Sequence, residues 1–585
     1  MSGSTGQVLR RAFKVSPALS RGLGWTLALA VFGTALQLVV PITVQRIIDS
    51  VLLVNNVDTQ DVFLAGAVAL VAIVGAWWAR RTSLARLARS SITGLTDLRV
   101  TTFEHLHKLS MLHVQAERRG ALVSRVTSDI ETMQQFMEWG GVGMILGAAQ
   151  ITLAVVVMVF YEWRLALMIV VGVLLYSLML IWFQRILRRA HDRVRERVAD
   201  SLSVIGEATA GLPTVRAFGM ESAVLGKVST ALDRQYRAEY GAGALAAVLF
   251  SSAELFAGVI TASVVAVGVV FGVSWGISAG TLVAFLFLVT LLVEPVQMLV
   301  ETINQAQSAG AGLRKVLDVL DTPIEVADPI DGVDLPDRPL DVRFELVRFR
   351  YPTGSDVISD VTVSIAAGER AAVVGETGSG KTTFAKLATR LLDPASGEIT
   401  IAATPLDEVG FGSLRSRVSY VPQEGFLFDG TVADNIRYGK PGVGDDGIRM
   451  AIADLELLEW VESLPGGIAA RVGERGSNLS AGERQLVAII RAWIANPDLL
   501  VLDEATSAVD PALEVQIRRA IERLTAGRTS ITVAHRLSTA EAADTVLVFD
   551  SGRLVERGHH TDLVAAGGVY ADLHRDWEGG VATSK

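Results

Sequence analysis

The sequence predicts a membrane all-α domain of six helices followed by an α/β domain built on a mostly parallel sheet. Three observations carry this fold class: long charge-free apolar runs confined to the first half, a Pro-rich acidic stretch near residue 330, and short β-branched runs alternating with helical stretches beyond it. Half of the 585 residues are hydrophobic, 20% are charged and mean hydropathy is +0.41. Disordered and collagen-like chains carry far less apolar mass. The absence of cysteine excludes a disulfide framework, thiolate metal sites and cysteine nucleophiles. A net charge of −9 argues against nucleic acid as a partner.

A bilayer span needs about 20 mostly apolar residues. Charge-free runs at 22–45, 62–79, 139–161 and 165–184 fit one span each. The run 255–293 is too long for one, and Gly272-Val273-Ser274-Trp275-Gly276 divides it into two helices, for six spans in all. Buried helices of a soluble core are usually shorter and more often interrupted. The N-terminal 21 residues are basic, but the apolar run after them exceeds a signal-peptide core. Residues 80–138 carry nine Lys/Arg and 185–239 carry ten, whereas 46–61, 162–164 and 274–280 hold only Arg46 and Arg164. The positive-inside rule then puts both termini and the two long loops in the cytoplasm. Those loops are poor in Pro and Gly, so the spanning helices are expected to continue into the cytoplasm and return as hairpins.

Glu254 and Glu294 are the only charged residues between 240 and 300, and charge inside a span is costly unless it faces protein or water. Glu254 is expected near the cytoplasmic leaflet edge. Glu294, beside Pro295 with its freed backbone carbonyl, is expected to face a cavity and to suit cationic or polar amphipathic molecules.

Residues 321–341 hold four prolines, seven acidic residues and one basic one, a composition that prevents a helix. The expected organisation is therefore 1–320 transmembrane, 321–341 linker, and 342–585 an α/β domain. In the last of these, Ala371–Val374, Arg417–Val421, Leu499–Leu502 and Thr529–Val533 read as strands.

Gly375-Glu376-Thr377-Gly378-Ser379-Gly380-Lys381-Thr382, followed by Thr383, comes after an expected strand and opens an expected helix. That is the P-loop pattern in its structural context, which makes the α/β domain a P-loop NTPase. Its glycines let backbone N–H groups turn towards phosphate, Lys381 adds positive charge, and the Thr382 hydroxyl can ligate Mg²⁺. Leu499–Leu502 ends in Asp503 and Glu504. An acid there holds Mg²⁺ in P-loop enzymes, a role that falls to Asp503, while Glu504 is placed to polarise the attacking water. Ser480 and Glu483 have capping-box spacing, so a helix should begin at Ser480, with free N–H groups and a dipole that suit phosphate.

Leu479-Ser480-Ala481-Gly482-Glu483-Arg484-Gln485 resembles the signature sequence of the ATP-binding cassette (ABC) superfamily. The usual form has Gly where Ala481 stands and Gln where Glu483 stands, and neither change disturbs the cap. Further motifs are similar in kind and order: Tyr351 to the aromatic that stacks on adenine, Gln423 to the Q-loop residue that senses Mg²⁺, Val472–Gly476 to the X-loop of exporters, Ser507–Asp510 to the D-loop, and His535 to the switch histidine that contacts the γ-phosphate. Gly206–Phe218 resembles the tip of the second cytoplasmic hairpin, and Arg118–Asp129 the region at the first.

The resemblance covers nearly the whole chain and implies an exporter-type (type IV) half-transporter of the bacterial multidrug or lipid kind. It implies ATP and Mg²⁺ as cofactors and a second half-transporter, identical or paralogous, as partner. Each ATP would be sandwiched between one chain's P-loop and the other's signature helix at Ser480, Gly482 and Glu483. It also implies alternating access driven by ATP hydrolysis, catalysed by Glu504 and His535, with a small-molecule or lipid substrate, in a bacterial inner membrane. An exporter-fold importer and an ATP-gated regulator that does not pump are the alternatives. No siderophore-reducing or substrate-binding domain is visible, which speaks against the first, and Glu504 speaks against the second. A soluble relative acting on DNA or ribosomes cannot accommodate six spans.

Overall fold

The structure is a computed structural model describing residues 11, 14–19, 21–53, 59–116, 119–352, 354–423, 425–503, 510–534 and 536–582. Contacts divide it into two units, Met1–Leu106 with Gly120–Asp321, and His107–Arg119 with Thr322–Lys585.

The first unit is helical: α1 (Leu23–Gln37), α2 (Val39–Leu53), α3 (Thr59–Lys108), α4 (Gly141–Ala210), α5 (Glu221–Trp275) and α6 (Ala279–Asp321). Apolar backbone in lipid must satisfy its own hydrogen bonds, which an uninterrupted helix does. Pro41 has no N–H to give the turn before it, and the first span breaks nearby, at Leu38. At 50 residues α3 is about 75 Å long, more than twice the thickness of the bilayer core.

Five helices among the described residues are long and apolar enough to cross a membrane. One of them holds two apolar runs joined at Glu162, whose backbone is extended (φ −158°, ψ 105°) inside α4, so the five helices carry six apolar runs. The turn between α5 and α6 is shorter than expected. Helix α5 continues through Gly272 and ends at Trp275, stopped by the left-handed Gly276 (φ 71°), with the Ile277 N–H closing on the Gly272 carbonyl at 2.8 Å. Leu38, Met158, Leu165, Ile169, Val264, Phe285, Leu288 and Leu292 form the buried centre of this unit.

The second unit has an antiparallel sheet, order β2-β1-β4-β5, and a six-stranded sheet, order β10-β9-β3-β8-β7-β6. Its strands are β1 (Val342–Arg350), β2 (Asp356–Ile365), β3 (Arg370–Val374), β4 (Ser396–Ile401), β5 (Thr404–Pro405), β6 (Val418–Val421), β7 (Leu499–Asp503), β8 (Thr529–Val533), β9 (Thr545–Asp550) and β10 (Arg553–Gly558). All pairs in the larger sheet are parallel except β9 with β10. The expected strand at Arg417–Val421 starts one residue later, because Arg417 closes a short helix.

Helix α7 (Lys381–Ala388) lies between the sheets: Phe384 stacks on Phe344 of β1 at 4.4 Å between ring centres and meets Phe549 of β9 at 5.1 Å. This sandwich fixes the helix on which the P-loop ends. The acidic stretch before β1 is neither helix nor free tether. Arg390, 4% exposed, donates to the Ala327 and Val409 carbonyls at 2.9 Å each, and Arg417 donates to the carbonyls of Leu335 (3.3 Å), Pro336 and Arg338 (2.8 Å).

Candidate functional site

The P-loop runs from β3 into α7 and depends on glycine at two points. Gly375 has φ 150°, and a Cβ there would lie 2.1 Å from the Phe549 carbonyl oxygen; Gly380 has φ 100°, and its Cβ would lie 2.8 Å from the Val357 oxygen. Side chains at either position would push the loop off the sheet. Lys381 is buried, and its Nζ donates to the Gly375 and Glu376 carbonyls at 2.7 Å each. An ammonium has three donors, so one remains for a ligand. Burial lowers the Lys381 pKa, with the Asp503 charge pulling the other way. The Ser379 hydroxyl is buried without a hydrogen-bond partner at the same loop. An orphaned donor beside an ammonium and a helix N-terminus is the chemistry a phosphate satisfies.

The expected metal ligands converge in part. The Thr382 hydroxyl donates to Asp503 Oδ1 at 3.3 Å, although 121 residues separate them. Asp503 ends β7 and is 5% exposed. A hydroxyl and a carboxylate in contact at a phosphate loop form a donor set suited to Mg²⁺. Gln423 is exposed, two residues beyond β6.

Sequence reasoning missed one member. The Tyr420 hydroxyl donates to the other carboxylate oxygen, Asp503 Oδ2, at 3.0 Å. Burial and the Asp503 charge push its pKa up, so it remains a donor at neutral pH. Tyr420 pairs with Val501 on the neighbouring strand, which carries its ring to the end of β7. A tyrosine within a strand that borders an acid-tipped strand was the only signal, and strand order is invisible in sequence.

Tyr351 and Thr383 share a hydrogen bond of 3.1 Å between hydroxyls, which brings the expected adenine-stacking ring onto α7. The signature residues form a separate group. Helix α8 (Ala481–Ala495) begins at the Ser480 cap: the Glu483 N–H donates to Ser480 Oγ at 3.3 Å and the Ser480 N–H donates to Glu483 Oε2 at 2.7 Å. The expected capping box is therefore present. Trp460 Nε1 donates to Glu483 Oε1 at 3.4 Å, holding the carboxylate in its capping position. Glu504, His535 and Ser507–Val509 lie outside the described residues. Asp510 caps α9 (Pro511–Thr525) through the Ala512 N–H at 2.8 Å.

Within the membrane unit, Glu294 lines a cavity of about 620 Å³ together with Glu138, Arg80, Trp77, Phe287 and Met298, as its sequence position led us to expect. Glu294 and Met298 also border a second cavity of about 630 Å³ with Arg188, His191 and Arg195. Glu254 is exposed and lines neither cavity.

Family models for the ABC transporter transmembrane region and for the ABC transporter match residues 23–296 and 358–507. A fatty acid ABC transporter ATP-binding/permease protein of Mycobacterium bovis is 35% identical over 487 residues, 82% of this chain and 76% of its own. An ATP-dependent lipid A-core flippase of Pseudomonas syringae is 32% identical over 543 residues, 90% and 88% of the two chains. A bacterial Atm1-family ABC exporter solved with ATP bound superposes with a TM-score of 0.77 at 27% identity, covering 95% of this chain and 98% of that one.

Proposed function

The chain belongs to the ABC transporter family, and on that premise we propose that it exports an amphipathic small molecule or lipid with a cationic or zwitterionic head. ATP-driven export, with hydrolysis coupled to it, comes with the family, as do ATP binding, a membrane setting and dimerisation of half-transporters.

One observation carries the substrate class. The 620 Å³ cavity combines an apolar wall of Trp77, Phe287, Leu291 and Met298 with the carboxylates of Glu138 and Glu294. Apolar surface takes a greasy body, and the Glu294 carboxylate within a span, with Glu138 on the same cavity, selects a positive or polar head. Arg80 on the same wall offers an anchor for the negative part of a zwitterion. Two relatives named for fatty acid and lipid A support amphipathic cargo.

In the nucleotide site, the P-loop N–H groups, Ser379 and Lys381 bind the phosphates, and Tyr351 stacks on the adenine. Thr382, Asp503 and Gln423 hold Mg²⁺, which supplies positive charge at the phosphate oxygens. Glu504 orients and polarises the attacking water, and His535 contacts the terminal phosphate. The α8 N-terminus at Ser480, Gly482 and Glu483 offers N–H groups to the nucleotide held by the second half-transporter, whether an identical or a different chain. Loop charges support cytoplasmic termini and a cytoplasmic ATPase domain in a bacterial inner membrane.

The test is ATP-dependent uptake into inside-out vesicles of amphipaths that share one tail and differ in head charge. Uptake of the cationic and zwitterionic members is expected. Uptake of the anionic member alone overturns the substrate class, and ATP-driven release overturns the direction.

A further inference from the structure

We propose that Glu541, His560 and His574 form a binding site for a divalent transition metal of the zinc class, separate from the nucleotide site. The residues come from three consecutive helices of the second unit, α10 (Leu537–Glu541), α11 (His560–Ala566) and α12 (Val569–Ala582). Each offers one ligand atom, and the three atoms lie within 4.8 Å of one another. A tetrahedral zinc with bonds of about 2.1 Å wants its ligand atoms roughly 3.4 Å apart. Glu541 is exposed and carries its carboxylate on three rotatable bonds, so its oxygen can move towards the two imidazoles. Two imidazoles and one carboxylate suit Zn²⁺, Ni²⁺, Cu²⁺ or Co²⁺, whereas Mg²⁺ and Ca²⁺ want about six or more oxygen ligands and this set offers a single carboxylate.

The surrounding residues hold the imidazoles in place. His560 Nδ1 shares a 2.7 Å hydrogen bond with the Tyr570 hydroxyl. Tyr570 is fully buried. With Nδ1 engaged, Nε2 is the nitrogen that His560 presents to a metal, the usual arrangement for a ligating histidine. The carboxylate of Glu556 accepts from the Val569 and Tyr570 N–H groups at 2.6 and 3.0 Å, which fixes the start of α12 against β10. The His560 and His574 ring centres are consequently 5.3 Å apart, close enough to share one ion.

Bound metal would clip the last two helices to α10, which begins two residues after His535. The site would therefore brace the segment that follows the proposed switch histidine. It uses no residue of the nucleotide site or the membrane cavity, so its failure leaves the export reading untouched.

The experiment uses the untagged full-length chain, stripped with chelator and titrated with Co²⁺ without nucleotide or Mg²⁺. The expected result is one Co²⁺ per chain with the strong visible absorption of four-coordinate cobalt, displaced by Zn²⁺. His574→Gln and Glu541→Gln should each weaken uptake about tenfold or more, the scale on which metal sites respond to such losses. Parental ATPase rates in Mg²⁺ certify that the variants are folded. Glu541→Gln, at an exposed side chain, keeps the test decisive if a histidine variant does not fold. Parental uptake by a folded His560→Gln/His574→Gln variant, or no stoichiometric uptake by the parent, overturns the proposal.

Discussion

The side-chain amide of Gln150 donates to the Leu291 carbonyl at 2.8 Å, across 141 residues of sequence. Leu291 lies four residues before Pro295, so its carbonyl is the one that the missing proline N–H leaves without a helical partner. In lipid no water replaces that donor, and a side chain of a neighbouring helix does so instead. Gln150, Leu291, Glu294 and Pro295 all line the same cavity. The carbonyl that Pro295 frees in α6 is thus satisfied beside a carboxylate.

Replacing Gln150 by leucine should cost about 0.5–2 kcal/mol, the range for polar contacts between membrane helices. The cost should shrink in a Pro295→Ala background, where the helix supplies its own N–H. Reversible unfolding in mixed micelles, run as a double-variant cycle, measures this. Equal costs in both backgrounds would detach Gln150 from the proline break.

Glu294→Gln removes a cavity charge and keeps the shape. The KM for uptake of a cationic amphipath should rise about tenfold, an amount set by one partly solvated charge contact, while that of a neutral analogue is unaffected. A parallel loss for both analogues would point to general damage.

Tyr420→Phe deletes one hydroxyl bonded to Asp503. Removing such a supporting bond typically weakens a metal site about tenfold or more. The Mg²⁺ needed for half-maximal ATPase activity should therefore rise, with ATP affinity in the absence of Mg²⁺ unchanged. An unaltered Mg²⁺ dependence counts against this positioning role.

Glu504→Gln should retain ATP affinity, because Lys381, the loop N–H groups and Tyr351 are untouched. Hydrolysis should fall about 10²–10⁴-fold, the scale of general acid–base catalysis. Bound ATP should then keep the two nucleotide domains together, visible as a short, sharp distance between labels on them. Near-parental single turnover would move the catalytic role to another residue. If two different chains pair, the pair must be defined, since a second intact site would mask the effect.

What was legible in the sequence was local. The Ser480–Glu483 capping box needs only three residues of spacing, and the P-loop carries its own glycines; both appear where expected. Charge-free length revealed the spans, because lipid forbids unsatisfied backbone. Illegible were contacts set by strand order or helix packing, such as Tyr420 with Asp503 and Gln150 with Leu291, each a meeting of residues more than 80 positions apart. The end of α5 was misjudged because glycines at 272 and 276 look alike in sequence. Only the second adopts the left-handed conformation that stops a helix.

The arginine staples on the acidic stretch bear on where the ATPase unit can be cut free. A fragment opening at β1, Val342, would keep Arg390 and Arg417 but discard the Ala327, Leu335, Pro336 and Arg338 carbonyls that receive their protons. The cut also removes Leu335 and Leu340, which are buried in the core, and uncovers the apolar residues that pack on them. An excised domain should therefore be soluble and monodisperse when its first residue is Thr322, and prone to aggregate when it is Val342. Contacts group the Pro-rich tract with the ATPase unit from Thr322 on, twenty residues upstream of its first strand.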